Sequence, residues 1–150
     1  MTATDSTANV LDKLRSAGDY AARLDVDLLL EPQNRQEFPF IYSTEDGIAF
    51  VEQVARPNVG LMLDTFHMNM EGEDAPASIE RAMPYLRHIH FLDMERNPPT
   101  PADTQIDVMG ILRTLARRNY QHYLSMPLVR NAGLGATEDV VAQLRAAVPA

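Results

Sequence analysis

Polar side chains that could do chemistry together follow three short apolar runs of this chain. Residues 28–30 precede Glu31, residues 59–63 precede Asp64, and His90 lies within the run 88–92. Buried parallel strands present polar groups at their carboxyl ends, where neighbouring strands meet. Carboxylates and an imidazole gathered there could bind a cation or move a proton. On spacing alone, they could equally be polar residues that cap strand ends.

A fourth apolar run, Tyr123-Leu124-Ser125-Met126, carries no acid, and none follows it before Glu138. If the four runs are strands of one sheet, the fourth strand offers no carboxylate to the shared end. The sequence therefore predicts a site with acidic groups on two strands, an imidazole on the third, and a gap at the fourth.

The elements that would position these groups alternate between helix and strand. Helical spacing of apolar residues, N-caps and turn residues give the order. The predicted helices cover about 7–23, 44–54 with Thr44 as cap, 76–86, 107–119, and a last segment from a cap at Thr137. The predicted strands are 26–31, 59–64, 88–92 and 123–126, with loops at 32–43, 65–75 and 94–105. Such a string predicts an α/β fold with parallel strands joined by helical crossovers.

Composition limits the class of protein. A chain of 150 residues fits a single domain over 1–150. The net charge of −8 argues against a nucleic-acid surface, which needs clustered cations. No apolar run approaches the roughly 18 residues of a membrane span, and residues 1–9 lack the features of a signal peptide. The absence of cysteine rules out disulfides and thiolate ligands but leaves the compartment open. A soluble cytoplasmic protein is the default expectation.

Three strings carry a resemblance to a known family. The chain reads E-P-Q-N-R at 31–35, L-D-T-F-H-M-N at 63–69, and H-I-H at 88–90 followed by an arginine at 96. In this order and spacing the strings resemble the sugar isomerase/epimerase family, the xylose-isomerase-like TIM barrels. Within it, the ketose 3-epimerases of the tagatose and psicose type are the most similar branch.

The resemblance implies a divalent metal site, with Mn, Mg or Co as the cation. Glu31, Asp64 and His90 match three of the family's four metal ligands, and Glu31 also matches a catalytic acid–base group. Glu37, His67 and Arg96 match positions that contact a small-molecule sugar. His88 is expected to pack against the helices, on the face of its strand opposite to His90.

The chain departs from the family pattern in two places. The fourth ligand, a glutamate, normally sits in a string like S-M-E-P, but the chain reads Ser125-Met126-Pro127. The glutamate is either replaced by Met126 or deleted before Pro127, and the retained Met and Pro favour deletion. The second departure is length, because a TIM barrel needs at least about 200 residues. The resemblance is to the C-terminal half of a TIM (β/α)8 barrel, with about four parallel strands.

The family reaction moves a proton on a carbon beside a ketose carbonyl, as 3-epimerisation or aldose–ketose isomerisation. Epimerisation needs one group to remove the proton and another on the opposite face to return it. Glu31 matches one of these groups and the missing glutamate matches the other. General acid–base groups contribute roughly 10²–10⁴-fold each. We therefore expect little or no isomerase activity from the chain alone.

Two alternatives remain open at this stage. The chain could be a non-catalytic sugar- or metal-binding or assembly module that keeps the pocket. An endonuclease of the same superfamily is a weaker alternative, because such enzymes use more metal ligands and a basic surface. A half-barrel leaves sheet edges and an inner face uncovered. The expected partner is therefore a second copy in a homo-oligomer, or a separate N-terminal half-barrel.

Overall fold

The computed structural model describes residues 3–38, 40–102, 105–126 and 134–147, and helices and strands alternate within them. The helices are α1 (Ala3–Ala22), α2 (Thr44–Val54), α3 (Thr65–Met70), α4 (Ala75–Ala82), α5 (Val108–Arg117) and α6 (Leu134–Ala147). The strands are β1 (Leu28–Leu30), β2 (Val59–Asp64), β3 (Leu86–His90) and β4 (Tyr123–Ser125).

The four strands form one parallel sheet in the order β1-β2-β3-β4. Sequential order and parallel pairing follow from helical crossovers between consecutive strands. The α/β half-barrel predicted from the sequence is therefore confirmed. Because all four strands run the same way, their carboxyl ends share one edge of the sheet.

One face of the sheet packs against the helices and forms the core. Leu61, Leu63 and Ile89 are at most 1% exposed. They pack with helix residues such as Val54 and Ile111 in one continuous cluster. Alternation along a strand sends Met62 and Asp64 to the other face. This inner face is more open, and Tyr123 on the edge strand β4 is 78% exposed.

Two local features position the carboxyl ends of the first three strands. The pairing of β2 with β3 shifts between Leu61 and Met62, so that Arg87 is an extra residue and Asp64 pairs directly with His90. On the helix side, α2 lies very close to the residue that follows Glu31. A Cβ on Gly47 would lie 2.6 Å from the Pro32 side chain, so only glycine permits this approach.

Several predicted boundaries are wrong. Ser43 rather than Thr44 caps α2, because its side chain accepts from the Asp46 amide at 3.1 Å. The third strand runs over 86–90 instead of 88–92. The last helix begins at Leu134, and Thr137 lies inside it rather than at its cap.

The predicted loop 65–75 contains helix α3. The Asp64 carboxylate accepts from the Phe66 amide at 2.8 Å and caps this short helix. The helix follows β2 without any intervening residue, so polar side chains of 64–70 are held rigidly at the strand end. No described helix is long and apolar enough to cross a membrane.

Candidate functional site at the strand ends

Glu31, Asp64 and His90 converge as the sequence predicted. His90 Nδ1 lies 3.3 Å from Glu31 Oε1 and 3.7 Å from Asp64 Oδ2. Two ligand atoms, each about 2.2 Å from one cation, lie about 3 Å apart at a right angle. The distances from His90 Nδ1 to each carboxylate are therefore of the size expected for two atoms that share a divalent cation.

The backbone holds Asp64 and His90 side by side through one hydroxyl. The Thr65 Oγ1 accepts from the Leu92 amide at 2.9 Å and lies 2.6 Å from the Leu92 carbonyl oxygen, to which it donates. Thr65 is 1% exposed and Leu92 is 2% exposed, so no water competes for these groups. The end of β2 is thereby fixed to the residues that follow His90.

The first turn of α3 delivers His67 to the same place. One side-chain atom from each of Glu31, Asp64 and His67 lies within 4.8 Å of the other two. His67 is 5% exposed, and Asn34 lies against its Nδ1. The structure therefore places two imidazoles, His67 and His90, beside the pair of carboxylates.

Glu37 and Arg96 form the rim of the site. Arg96 donates to Glu37 Oε1, and its guanidinium carbon lies 4.0 Å from the centre of the Phe66 ring. Arg96 has a φ of 60°, a left-handed conformation that is costly for a side chain with a Cβ. The ion pair with Glu37 and the cation–π contact with Phe66 hold Arg96 in this strained conformation, with its guanidinium beside the site.

The carboxylates of the site have different environments. Burial raises the pKa of Asp64, despite its hydrogen bond from Phe66 and the nearby imidazoles of His67 and His90. Burial also raises the pKa of Glu37, but hydrogen bonds from Asn34 and Arg96 outweigh this and leave it below the ordinary value. Asp64 therefore carries a charge that its protein neighbours only partly compensate, which is the environment that a bound cation would stabilise.

The expected orientation of His88 is wrong. Residues two apart on a strand share a face, so His88 lies beside His90 on the inner face of the sheet. The ring centres are 5.2 Å apart at 90°, and His88 Nε2 lies 2.7 Å from Ser125 Oγ. Burial and the neighbouring His90 lower the pKa of His88.

The end of β4 supplies no acid to the site. Ser125 pairs with His90 in the sheet and faces the inner side. Met126 packs against the hydrophobic core, as Leu124 does, so its side chain lies on the helix face. Pro127, which enters the interpretation of the missing glutamate, lies outside the described residues.

Two residues of the site had no role assigned from the sequence. Asn34 belongs to the E-x-x-N-R string and Thr65 to the D-T-F-H-M-N string, but their partners are 33 and 27 residues away in the chain. Only the motif membership could have signalled them, because the contacts form through the pairing of separate strands.

The four parallel strands, with polar residues at their carboxyl ends, have the arrangement of half a TIM barrel. The chain belongs to the xylose isomerase-like TIM barrel family, whose model matches residues 2–146. The chain is 36% identical over 124 residues to the D-psicose 3-epimerase of Ruminiclostridium cellulolyticum. The matched region covers 82% of this chain and 42% of the relative. The chain thus spans less than half the length of this relative.

Solved structures show the same relation. The structure of D-psicose 3-epimerase with D-tagatose from Clostridium cellulolyticum matches at a TM-score of 0.78 and 30% identity, over 97% of this chain and 50% of that one. The structure of 3-keto-D-glucoside 4-epimerase from E. coli matches at a TM-score of 0.84 and 25% identity, over 97% of this chain and 56% of that one. The matched region is about half of each of these two chains.

Proposed function

We propose that this chain supplies the metal- and sugar-binding half of a ketose 3-epimerase-type site. The observation that carries the proposal is the convergence of Glu31, Asp64 and His90 at adjoining strand ends, with atoms 3.3 and 3.7 Å apart. These three residues would hold a divalent cation such as Mn, Mg or Co. When bound, the cation would supply positive charge that stabilises negative charge developing on neighbouring sugar oxygens.

The remaining polar residues would hold the sugar. Arg96 and His67 would present hydrogen-bond donors to a sugar bound beside the carboxylates, and Glu37 would present an acceptor. Hydroxyl groups of a ketose both donate and accept, so a set with both kinds of partner suits them. Arg96 is fixed by Glu37 and Phe66, so little conformational freedom is lost when it binds a hydroxyl.

Glu31 is the proposed proton-transferring group. Its carboxylate would remove the proton on the carbon beside the carbonyl, and could return it to the same face only. Inversion needs a second acid opposite Glu31, and β4 provides none. The packing of Met126 against the core supports deletion of that acid rather than its replacement by Met126. We therefore propose that the chain alone exchanges the proton weakly and does not invert the carbon.

The missing acid also favours a second candidate function. A pocket that keeps a cation site and sugar contacts but lacks one acid–base group can serve as a non-catalytic binding or assembly module. Binding without turnover distinguishes this candidate from the impaired enzyme.

The open inner face indicates how the site would be completed. We propose that residues 1–150 act as one cytoplasmic domain whose sheet continues into four further βα units. These units would come from a separate N-terminal half-barrel or from a second copy of the chain. The exposed Tyr123 on β4 and the half-buried Met62 would then be covered.

The deciding experiment restores the two missing parts, the glutamate after β4 and the N-terminal half-barrel. The chain is incubated with D-fructose, D-psicose or D-tagatose and Mn²⁺ in deuterated water, alone and with the N-terminal half of a D-psicose 3-epimerase. A second variant carries a glutamate inserted between Met126 and Pro127. We expect deuterium to enter the sugar without inversion in the unmodified chain, and epimerisation to appear with the inserted glutamate and the added half.

Glu31→Gln is the matched control, since it keeps the shape of the side chain and removes the base. Deuterium uptake that persists in Glu31→Gln would contradict the role of Glu31. Full epimerisation by the unmodified chain would contradict the missing-acid argument. Sugar binding with no deuterium uptake in any variant would select the binding module.

A further inference from the structure

Asn34 is the most connected polar residue of the site. It is 1% exposed, and it approaches His67 twice. Its backbone N–H donates to His67 Nδ1 at 3.2 Å, and its side-chain Nδ2 lies 2.8 Å from the same ring nitrogen. The backbone contact has a fixed direction, because an amide nitrogen can only donate.

The side-chain amide of Asn34 is also fixed in one orientation. Its Oδ1 accepts from the backbone amides of Gln36 at 3.1 Å and Glu37 at 3.2 Å, and its Nδ2 donates to Glu37 Oε1 at 3.2 Å. Rotating the amide by half a turn would place Nδ2 against two N–H donors and Oδ1 against a carboxylate. The Nδ2 group must therefore face His67.

Both groups of Asn34 that face His67 are donors, so Nδ1 of this imidazole must act as an acceptor. A neutral imidazole that accepts at Nδ1 carries its proton on Nε2. We infer that Asn34 is a positioning residue that locks His67 in the Nε2–H tautomer. The two donors of Asn34 thus determine which nitrogen of His67 carries the proton, whereas the position of the ring alone would allow either tautomer.

This tautomer prevents His67 from replacing the lost glutamate as a metal ligand. Coordination requires an unprotonated ring nitrogen. In His67 the lone pair of Nδ1 is already used by Asn34, and Nε2 carries a proton. The site keeps three protein ligands, although His67 lies within 4.8 Å of Glu31 and Asp64.

The locked tautomer gives His67 a specific role toward a substrate, and this role rests on the proposed function. A fixed Nε2–H is a hydrogen-bond donor, so His67 would select a sugar oxygen that accepts, such as a carbonyl or a hydroxyl lone pair. A substrate that presents a cationic donor at this position, such as an amino sugar, would meet an N–H group and bind weakly.

The tautomer can be read directly by NMR of the full chain labelled with ¹⁵N-histidine, at a pH where neutral imidazole predominates. His67→Gln assigns the signals by loss. We expect a pyridine-type Nδ1 and a pyrrole-type Nε2 for His67, unchanged when Mg²⁺ is added. A pyrrole-type Nδ1 in the unmodified chain, or loss of the Nε2 proton on addition of Mg²⁺, would overturn the inference.

Two variants test whether Asn34 is responsible. Asn34→Asp replaces the side-chain donor with a carboxylate but keeps the backbone N–H of residue 34. A fraction of the His67 rings should therefore carry a proton on Nδ1, and the pyridine-type Nδ1 signal should weaken. Gln36→Glu is the matched control, because it adds the same charge to the same loop without touching His67, and it should leave the signals unchanged. Identical His67 spectra for Asn34→Asp and the unmodified chain would refute the role of Asn34. No sugar is added, so failure of the proposed epimerase function would not alter this result.

Discussion

Thr65→Val tests how the ends of β2 and β3 are held together. Valine has nearly the shape of threonine, so the change removes the hydroxyl and little else. The Leu92 amide, 2.9 Å from Thr65 Oγ1, and the Leu92 carbonyl, 2.6 Å from it, would both lose their partner. Thr65 and Leu92 are at most 2% exposed, so water cannot readily replace the lost hydroxyl.

The magnitude follows from the two orphaned groups. A buried polar group left without a partner costs about 1–3 kcal/mol, so two such groups should cost about 2–6 kcal/mol of stability. For a chain of this length, that corresponds to a fall in Tm of roughly 4–24 °C. The looser link between Asp64 and His90 should also weaken Mn²⁺ binding by about 10–100-fold.

Thr65→Ser is the matched control, since it keeps the hydroxyl and loses one methyl group, at a cost of about 1 kcal/mol. Urea unfolding followed by circular dichroism gives the stabilities, and calorimetry with Mn²⁺ gives the affinities. The reasoning is refuted if the valine and serine variants differ by less than about 0.5 kcal/mol.

Three further predictions concern the cation, acid stability and association. Asp64→Ala should abolish calorimetric binding of Mn²⁺, and a titration curve equal to that of the unmodified chain would contradict the ligand assignment. Hydrogen bonds from Arg35 lower the pKa of Glu71 from its ordinary value of 4.5. Their stabilisation is therefore present above that value and lost as the pH falls through the lowered pKa. Glu71→Gln should consequently reduce the urea midpoint at neutral pH, with a difference from the unmodified chain that shrinks in acid. Finally, the open inner face should make the chain self-associate or bind a hydrophobic dye, and sedimentation at several concentrations that finds a compact monomer without dye binding would count against it.

The sequence predicted the fold well because the apolar runs and the helical patterns alternate without interruption. Parallel pairing then places all carboxyl ends together, so the convergence of Glu31, Asp64 and His90 needed no three-dimensional information. The exact strand limits were less predictable. Hydrophobic spacing does not reveal a register shift such as the one between Leu61 and Met62. The strand β3 also begins and ends two residues before the predicted limits.

The supporting contacts could not be read from the sequence. The sequence predicts a loop at α3 because Asp64, which caps the helix, also has the residue type and the position of a metal ligand. The predicted orientation of His88 is wrong, because residues two apart on a strand point to the same face and His88 therefore lies beside His90. The partners of Asn34 and Thr65 come from other strands, and one sequence does not contain the distances between them.

The two oxygens of the Asp64 carboxylate are divided between two tasks. Oδ1 accepts from the Phe66 amide and begins α3, whereas Oδ2 faces His90 across the site. A cation at Oδ2 would restrain the same carboxylate that starts the helix, so site occupancy and helix order are thermodynamically linked. Amide exchange at Phe66 should slow when the strand ends are occupied. The backbone amide proton of Phe66, which is not itself part of a ligand group, would thus report binding of the cation without any sugar or turnover.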